Sequence, residues 1–79
     1  MKQYVATFHT HLSALRTCRA LTAAGVKARM APVPRALSSS CGTCVFYEAE
    51  SPCMETLDCD AEAVYLEQGE SYQILRQLG

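Results

Sequence analysis

The stretch from Pro32 to Cys44 constrains the fold of this chain more than any other part of the sequence. It reads Pro-Val-Pro-Arg-Ala-Leu-Ser-Ser-Ser-Cys-Gly-Thr-Cys. Because Pro32 and Pro34 fix the backbone angle φ and lack an N–H donor, no helix or central strand can run through them. Gly42 has no Cβ, so the backbone beside Cys41 can turn sharply there. The stretch therefore predicts a polar loop that presents a thiol and separates two halves of the chain.

Hydrophobic periodicity predicts regular structure on both sides of this loop. Tyr4, Ala6 and Phe8 alternate with their neighbours as in a strand. Leu12 and Leu15 recur at helical spacing. The predicted segments are a strand over residues 2–8, a helix over 11–24, strands over 26–30 and 43–47, a helix over 52–68 and a strand over 71–76.

Residues at the ends of the two predicted helices are of the types that cap helices. Thr10 is suited to the N-cap of the first helix, and Gly25 follows its end. Ser51 and Pro52 are suited to start the second helix. The run Asp58-Cys59-Asp60 has low helix propensity, so it leaves the continuity of the second helix open.

The order of these segments predicts an α+β fold of the ferredoxin-like type, a βαββαβ split sandwich. In that fold a four-stranded antiparallel sheet, with strand order 4-1-3-2, carries two helices on one face. We expect one domain over residues 1–79, because a chain of this length suffices for one small core. In this topology the loop between strands two and three lies at the same end of the sheet as the start of the first helix.

Charge and composition limit the classes of partner. The net charge is −1, the isoelectric point is near 6.0 and no cluster of Lys and Arg is present, so nucleic acid is not expected as a partner. No apolar run approaches the roughly 20 residues that span a bilayer. The N-terminus has no apolar signal core, so we expect a cytoplasmic protein. The five cysteines are an odd number, and in that compartment free thiols are expected.

The predicted topology brings Cys41 close to the start of the first helix. A helix N-terminus carries partial positive charge and unpaired N–H groups, which stabilise a nearby thiolate. Polar and positively charged neighbours would also hold a sulfur, selenium or oxygen atom bound to that thiol. The candidate neighbours are His9, Thr10, His11, Arg35, Ser38, Ser39, Ser40 and Gly42.

Other interpretations of the cysteines remain open. Cys41 and Cys44 have the spacing of a dithiol redox site, although a disulfide requires a tight turn between them because the second cysteine enters a strand. Adding Cys53 and Cys59 gives four thiols, but their spacing is not that of two close zinc-binding pairs, so neither a metal nor another cofactor is expected. The loop also has the composition of a plain connection in which the cysteines are incidental.

The strand over residues 43–47 indicates a further surface. If Val45 and Tyr47 face the helices, Cys44 and Phe46 lie on the uncovered face of the sheet. An apolar residue on such a face is typical of a contact surface. A homodimer through the open sheet face, and a protein-interaction domain without catalytic function, are therefore alternatives.

The chain resembles the small bacterial DUF3343 family, which is described as selenium/sulfur carrier protein-like. The resemblance is carried by Phe8-His9 before a helix and by the motif Pro-Arg-x-Leu-Ser-Ser-Ser-Cys-Gly over residues 34–42, before a strand. It extends over residues 4–47 and implies that Cys41 is the characteristic cysteine of the family. Cys44 departs from the family pattern, so the resemblance implies no dithiol role for it.

The resemblance implies a carrier rather than an enzyme with turnover of its own. Cys41 would accept sulfur or selenium as a persulfide-type adduct from a donor protein and pass it to an acceptor protein. His9, Arg35 and the start of the first helix would stabilise the charged terminal atom. The roles of Cys18, Cys53 and Cys59, and the choice between sulfur and selenium, stay open.

Overall fold

The computed structural model describes residues 1–77 of the chain. One α-helix and five β-strands follow one another along these residues, with a single 3₁₀ turn before the fourth strand. The elements are β1 (Lys2–Phe8), α1 (His11–Ala23), β2 (Lys27–Pro32), β3 (Thr43–Ala49), the 3₁₀ turn (Met54–Thr56), β4 (Ala61–Gln68) and β5 (Ser71–Gln77).

The strand β1 lies at the centre of one antiparallel sheet, whose order is β2-β3-β1-β4-β5. On one side Tyr4 of β1 is opposite Tyr47 of β3, and on the other side it is opposite Leu66 of β4. A strand with two neighbours satisfies its backbone N–H and C=O groups within the sheet. Both halves of the chain are therefore joined through β1.

The helix α1 covers one face of the sheet and closes the core. Leu21 of the helix and Phe8, Val45 and Tyr47 of the sheet have almost no exposed surface. The rings of Tyr4 and Tyr47 stack on this face, with their centroids 5.4 Å apart. From Val45 to Ala49 of β3, buried residues that face the helix alternate with half-buried ones, whereas residues 4–8 of the central strand β1 are all buried.

Both predicted caps of α1 are confirmed. Thr10 has extended backbone angles, and its hydroxyl accepts a hydrogen bond from the Ser13 N–H. Gly25 adopts a φ of +85°, in the left-handed region where glycine is favoured, and turns the chain into β2. The sequence thus predicts the first helix to within one residue at its end.

The predicted second helix over residues 52–68 is wrong. These residues form the 3₁₀ turn and then β4, which a turn at Gly69 joins to β5. The predicted last strand is present as β5, but it lies at the edge of the sheet beyond β4. The α+β class is confirmed. The four-stranded ferredoxin-like sheet with two helices is corrected to five strands and one α-helix within residues 1–77.

Local chemistry and strand pairing explain the difference. The Asp58 carboxylate accepts a hydrogen bond from the Asp60 N–H at 2.9 Å, a local contact that competes with a helix. The following Val64 and Tyr65 favour a strand. Helical spacing in this segment is also compatible with a turn followed by a strand, because Met54 and Val64 both reach the core. Hydrogen bonding to the side of β1 that β3 leaves free favours the strand over a helix for residues 61–68.

No helix within the described residues is long and apolar enough to cross a membrane. The longest, α1, has 13 residues and only part of its surface is apolar.

Replacing Leu21 by Ala is expected to lower the free energy of unfolding by about 2–5 kcal/mol, because the change leaves a cavity in the core. The matched control on the same helix is Leu12→Ala. Leu12 is 52% exposed whereas Leu21 is 0% exposed, so the control should change stability by less than about 0.5 kcal/mol. Urea unfolding measures both. Equal losses for the two variants would contradict the described packing of α1.

Candidate functional site

The loop over residues 33–42 folds back onto the end of β1 and the start of α1. The Val33 N–H donates to the Gly42 carbonyl at 3.1 Å, which closes the base of the loop. Gly42 adopts a φ of +74°, a left-handed conformation that favours glycine. Contacts of Ser39 and Cys41 with the Phe8 carbonyl place this loop at the end of β1, from which the chain enters α1.

The thiol of Cys41 lies half-buried at the end of β1. Its Sγ donates to the Phe8 carbonyl at 3.3 Å and lies 3.6 Å from the Thr43 carbonyl. The Ser39 hydroxyl is 3.8 Å from the same sulfur atom. Oxygen acceptors, rather than the predicted N–H donors of α1, thus surround the sulfur within residues 1–77. In this arrangement the Cys41 thiol is a hydrogen-bond donor to backbone carbonyls.

Two serines fasten the loop to the neighbouring strands. The Ser39 hydroxyl donates to the Phe8 carbonyl at 2.8 Å. The Ser40 N–H donates to Glu62 Oε1 at 2.9 Å, and the Ser40 hydroxyl donates to Glu62 Oε2 at 2.8 Å. His9 Nδ1 lies 3.4 Å from the Ser40 hydroxyl and 3.5 Å from Glu62 Oε2. Ser39 is therefore held to the end of β1, and Ser40 is held to β4.

The Glu62 carboxylate is stabilised in its charged form. Burial by itself raises the pKa of Glu62, but the hydrogen bonds from the Ser40 N–H and hydroxyl, together with the nearby His9 ring, bring that pKa below its ordinary value. The carboxylate is thus available as a hydrogen-bond acceptor at neutral pH.

A second carboxylate, that of Asp60, occupies the start of α1. The Ser13 hydroxyl donates to Asp60 Oδ2 at 2.8 Å, and the Thr10 hydroxyl donates to the same atom at 3.2 Å. The hydrogen bond from Ser13, followed by that from Thr10, lowers the pKa of Asp60. The positive end of the helix is therefore paired with a carboxylate of the chain itself, not with Cys41.

The remaining predicted neighbours of Cys41 lie farther from the sulfur atom. His11 Nδ1 lies 3.4 Å from the Thr43 hydroxyl, at the side of a shallow cleft of about 270 Å³. The cleft is lined by His11, Met30, Ala31, Pro32, Gly42 and Thr43. Arg35 and Ser38 are exposed. Neither of these two side chains forms a hydrogen bond or ion pair with another side chain of residues 1–77.

Cys44 belongs to a different environment from Cys41. It has no exposed surface, and its Sγ lies 3.8 Å from the Pro32 carbonyl. Burial is the main cause that raises the pKa of the Cys44 thiol to about 11, against an opposing effect of Arg29. On β1 the residue opposite Cys44 is Thr7, whose buried hydroxyl has no hydrogen-bond partner in the described part of the chain. Cys44 is therefore a protonated, packed thiol at neutral pH.

The other three thiols are scattered. Cys18 and Cys53 pack against the core, and Cys59 is exposed. In the part of the chain that the structure describes, no three His, Cys, Asp or Glu side chains lie together in a geometry that would hold a metal ion.

Cys44 and Phe46 lie on the other face of β3 from Val45 and Tyr47, as predicted, but Cys44 is fully buried there and only Phe46 is partly exposed. The Arg29 guanidinium lies over the Phe46 ring, 4.6 Å from its centroid. A shallow groove of about 250 Å³ runs beside this pair, lined by Gln3, Lys27, Ala28, Arg29, Phe46, Tyr47 and Glu48.

Two carboxylates that contact the helix start and the loop, those of Asp60 and Glu62, are not predicted from the sequence. Both lie in the segment that was predicted as helical, where their side chains would have no fixed relation to Cys41. The strand-forming pair Val64-Tyr65, which follows Glu62 closely, is the signal that a strand assignment would have used.

Known proteins are similar to the part of the chain that contains α1 and the cysteine loop. A family model described as "Putative Se/S carrier protein-like" matches residues 3–58. The uncharacterized protein YtiA of Escherichia coli (strain K12) is 37% identical over 46 residues, which are 58% of this chain and 54% of YtiA. The chain thus spans about half the length of this curated relative. No solved structure matches the chain.

Replacing Asp60 by Asn is expected to lower stability at neutral pH and to have little effect in acid. The folded-state pKa of Asp60 lies below its ordinary value of 3.8. The carboxylate therefore stabilises the fold at pH above the unfolded-state pKa, and this contribution disappears as the pH falls through the folded-state pKa. Urea unfolding from neutral to acid pH measures the difference, with exposed Glu50→Gln as the control. A difference that does not change with pH would contradict the assignment.

Proposed function

This chain belongs to the Se/S carrier protein-like family, and from that premise we propose that Cys41 receives a sulfur or selenium atom and delivers it to an acceptor protein. In this proposal the chain is a carrier without turnover of its own. Its partners are a donor protein and an acceptor protein, both recognised through the surface around the loop over residues 33–42.

The observation that supports Cys41 is its position among the cysteines of the matched region. Within residues 3–58, Cys18 and Cys53 pack against the core and Cys44 is fully buried. Cys41 is the remaining thiol there, and it lies on a loop at the end of the sheet. A loop held on a rigid sheet is the usual location of a functional side chain.

Transfer of sulfur to Cys41 is a thiol exchange that balances without an oxidant. The Cys41 thiolate attacks the outer sulfur of a donor persulfide, R–S–SH. A new S–S bond forms at Cys41 while the S–S bond of the donor breaks, and the donor leaves as a thiolate that takes up the proton lost by Cys41. Delivery is the same exchange on a thiol of the acceptor. A donor selenosulfide transfers selenium with the same balance.

Polar groups of the loop would adjust to the transferred atom. The Ser39 hydroxyl is 3.8 Å from Cys41 Sγ, and a rotation about its C–O bond would turn its proton from the Phe8 carbonyl toward a charged cargo. Arg35 and Ser38 are exposed on the same loop, where they are accessible to a partner. His9, already close to Ser40, adds a group that is positively charged when protonated.

The alternative of a dithiol module has less support. It requires Cys44 to react as a thiolate, but Cys44 is buried and its pKa is raised to about 11. A protonated thiol without access to solvent is a poor nucleophile. A homodimer through the open sheet face stays a prediction.

Replacing Cys41 by Ser is expected to abolish sulfur acceptance from glutathione persulfide or from a persulfidated protein. The matched control is Cys59→Ser, because Cys59 is exposed and lies outside residues 3–58. The chain is reduced before loading and the reductant is removed; after loading, alkylation and digestion without reductant let mass spectrometry of the separated peptides detect the added mass of one sulfur atom at each cysteine. The proposal fails if the Cys41→Ser chain accepts sulfur as well as the parent chain does.

Cys44 is expected to react with iodoacetamide at neutral pH at least about a hundredfold more slowly than exposed Cys59, since its raised pKa leaves far less thiolate than an ordinary thiol has. Unfolding the chain in urea should remove the difference, because it arises from burial. Equal rates in the folded protein would restore the dithiol alternative.

A further inference from the structure

We propose that Glu62 is a positioning residue that holds the loop closed while Cys41 is empty and releases it when Cys41 carries an anionic atom. The inference deepens the proposed function and rests on it, because it states how the same site differs between its empty and loaded states. The two hydrogen bonds from Ser40 to the Glu62 carboxylate are called here the Ser40–Glu62 latch.

The latch holds the residue that directly precedes the thiol. The Ser40 backbone N–H and hydroxyl each donate to a different oxygen of Glu62, at 2.9 and 2.8 Å. Hydrogen bonds to a charged acceptor are stronger than those between neutral groups. One carboxylate therefore fixes both the backbone and the side chain at position 40, and with them the direction in which Cys41 points.

Glu62 reaches the loop because it is the extra residue of a β-bulge. The pairing of β1 with β4 passes from Thr7 opposite Ala63 to Phe8 opposite Ala61, so Glu62 has no partner on β1. Bulges turn a side chain away from its regular direction and are frequent beside functional sites. Glu62 also lies beyond residues 3–58, so the family match assigns no role to it.

The closed loop suits an empty thiol and opposes an anion. Cys41 Sγ is 3.3 Å from the Phe8 carbonyl and 3.6 Å from the Thr43 carbonyl, both of which accept hydrogen bonds and carry partial negative charge. The Glu62 carboxylate adds a full negative charge next to the preceding residue. A terminal persulfide or selenolate is an anion at neutral pH, so it cannot keep these contacts. Loading therefore favours movement of Cys41 away from Phe8.

The loop can open without losing its base. The Val33 N–H donates to the Gly42 carbonyl at 3.1 Å, and inside the loop the Leu37 N–H donates to the Pro34 carbonyl at 3.0 Å. These bonds are internal to the loop, so they survive when the contacts to β1 and β4 break. The hydrogen bonds that resist opening are then the two of the latch and those from Ser39 and Cys41 to the Phe8 carbonyl, and the latch alone has a charged acceptor.

Two adducts of Cys41 that differ in charge test the proposal without a sulfur donor. Iodoacetate leaves a carboxymethyl anion on the sulfur, whereas iodoacetamide leaves a neutral adduct of nearly the same size. Hydrogen exchange of the Ser40 amide, measured by NMR, reports whether the latch is closed. We expect the amide to exchange about tenfold or more faster in the anionic adduct than in the neutral one, as the strength of a hydrogen bond to a charged group implies.

Variants of β4 separate the latch from general loosening of the chain. In Glu62→Ala the Ser40 amide should exchange equally fast with either adduct, and Glu62→Gln, which keeps an acceptor for the Ser40 N–H, should restore part of the slow exchange. Glu67→Ala is the matched control on the same strand and should behave as the parent chain. Equal exchange of the two adducts in the parent chain would overturn the proposal, as would the same loss of protection in Glu67→Ala.

The readout also distinguishes this proposal from the carrier function. If exchange of the Ser40 amide depends on the charge of the adduct but Cys41 accepts no sulfur, the latch proposal is supported and the carrier proposal is contradicted. Sulfur acceptance with charge-independent exchange at Ser40 would remove the latch and leave the carrier proposal standing.

Discussion

The pairing requirement of β1 determines the arrangement of the rest of the molecule. This strand is buried, so its backbone groups need partners on both sides. The pairing with β3 follows from the first half of the chain, whereas the pairing with β4 draws residues 61–68 into the sheet. Because β4 runs beside the end of β1, it also brings Asp60 to the start of α1 and Glu62 to the loop. One backbone constraint thus fixes the core and the surroundings of Cys41 together.

The sequence predicts the first half of the fold because each local signal there agrees with the tertiary structure. Thr10 and Gly25 cap α1, and the alternation in β3 separates the two sheet faces. The prediction fails over residues 52–68, where the spacing of apolar residues fits a helix and also a turn followed by a strand, whereas the strand predicted over 71–76 is present as β5. The choice between them depends on pairing with β1, a strand distant in sequence, and local residue patterns carry no information about that pairing.

The hydrogen bonds around Cys41 also depend on contacts that the sequence does not predict. The predicted topology puts the cysteine loop at the end of the sheet where α1 begins, but Cys41 contacts the Phe8 and Thr43 carbonyls, and at the helix start the Thr10 and Ser13 hydroxyls donate to Asp60. Composition suggests a loop rich in donors for an anion. In the structure the Ser39 and Ser40 donors are directed at a backbone carbonyl and at Glu62, and Cys41 itself acts as a donor. Which polar groups are already paired can be learned only from the folded chain.

The match to the family model ends at residue 58, before β4 begins at Ala61. A protein that contained only the matched region would expose the backbone groups along one side of a buried strand, an arrangement that natural proteins avoid. Any chain that keeps β1 buried therefore has to cover that side of it, and in this protein β4 supplies the cover. The strand that completes the sheet thus also carries the carboxylate beside the cysteine loop, so in this chain the cover of β1 and the charge next to Cys41 come from one segment.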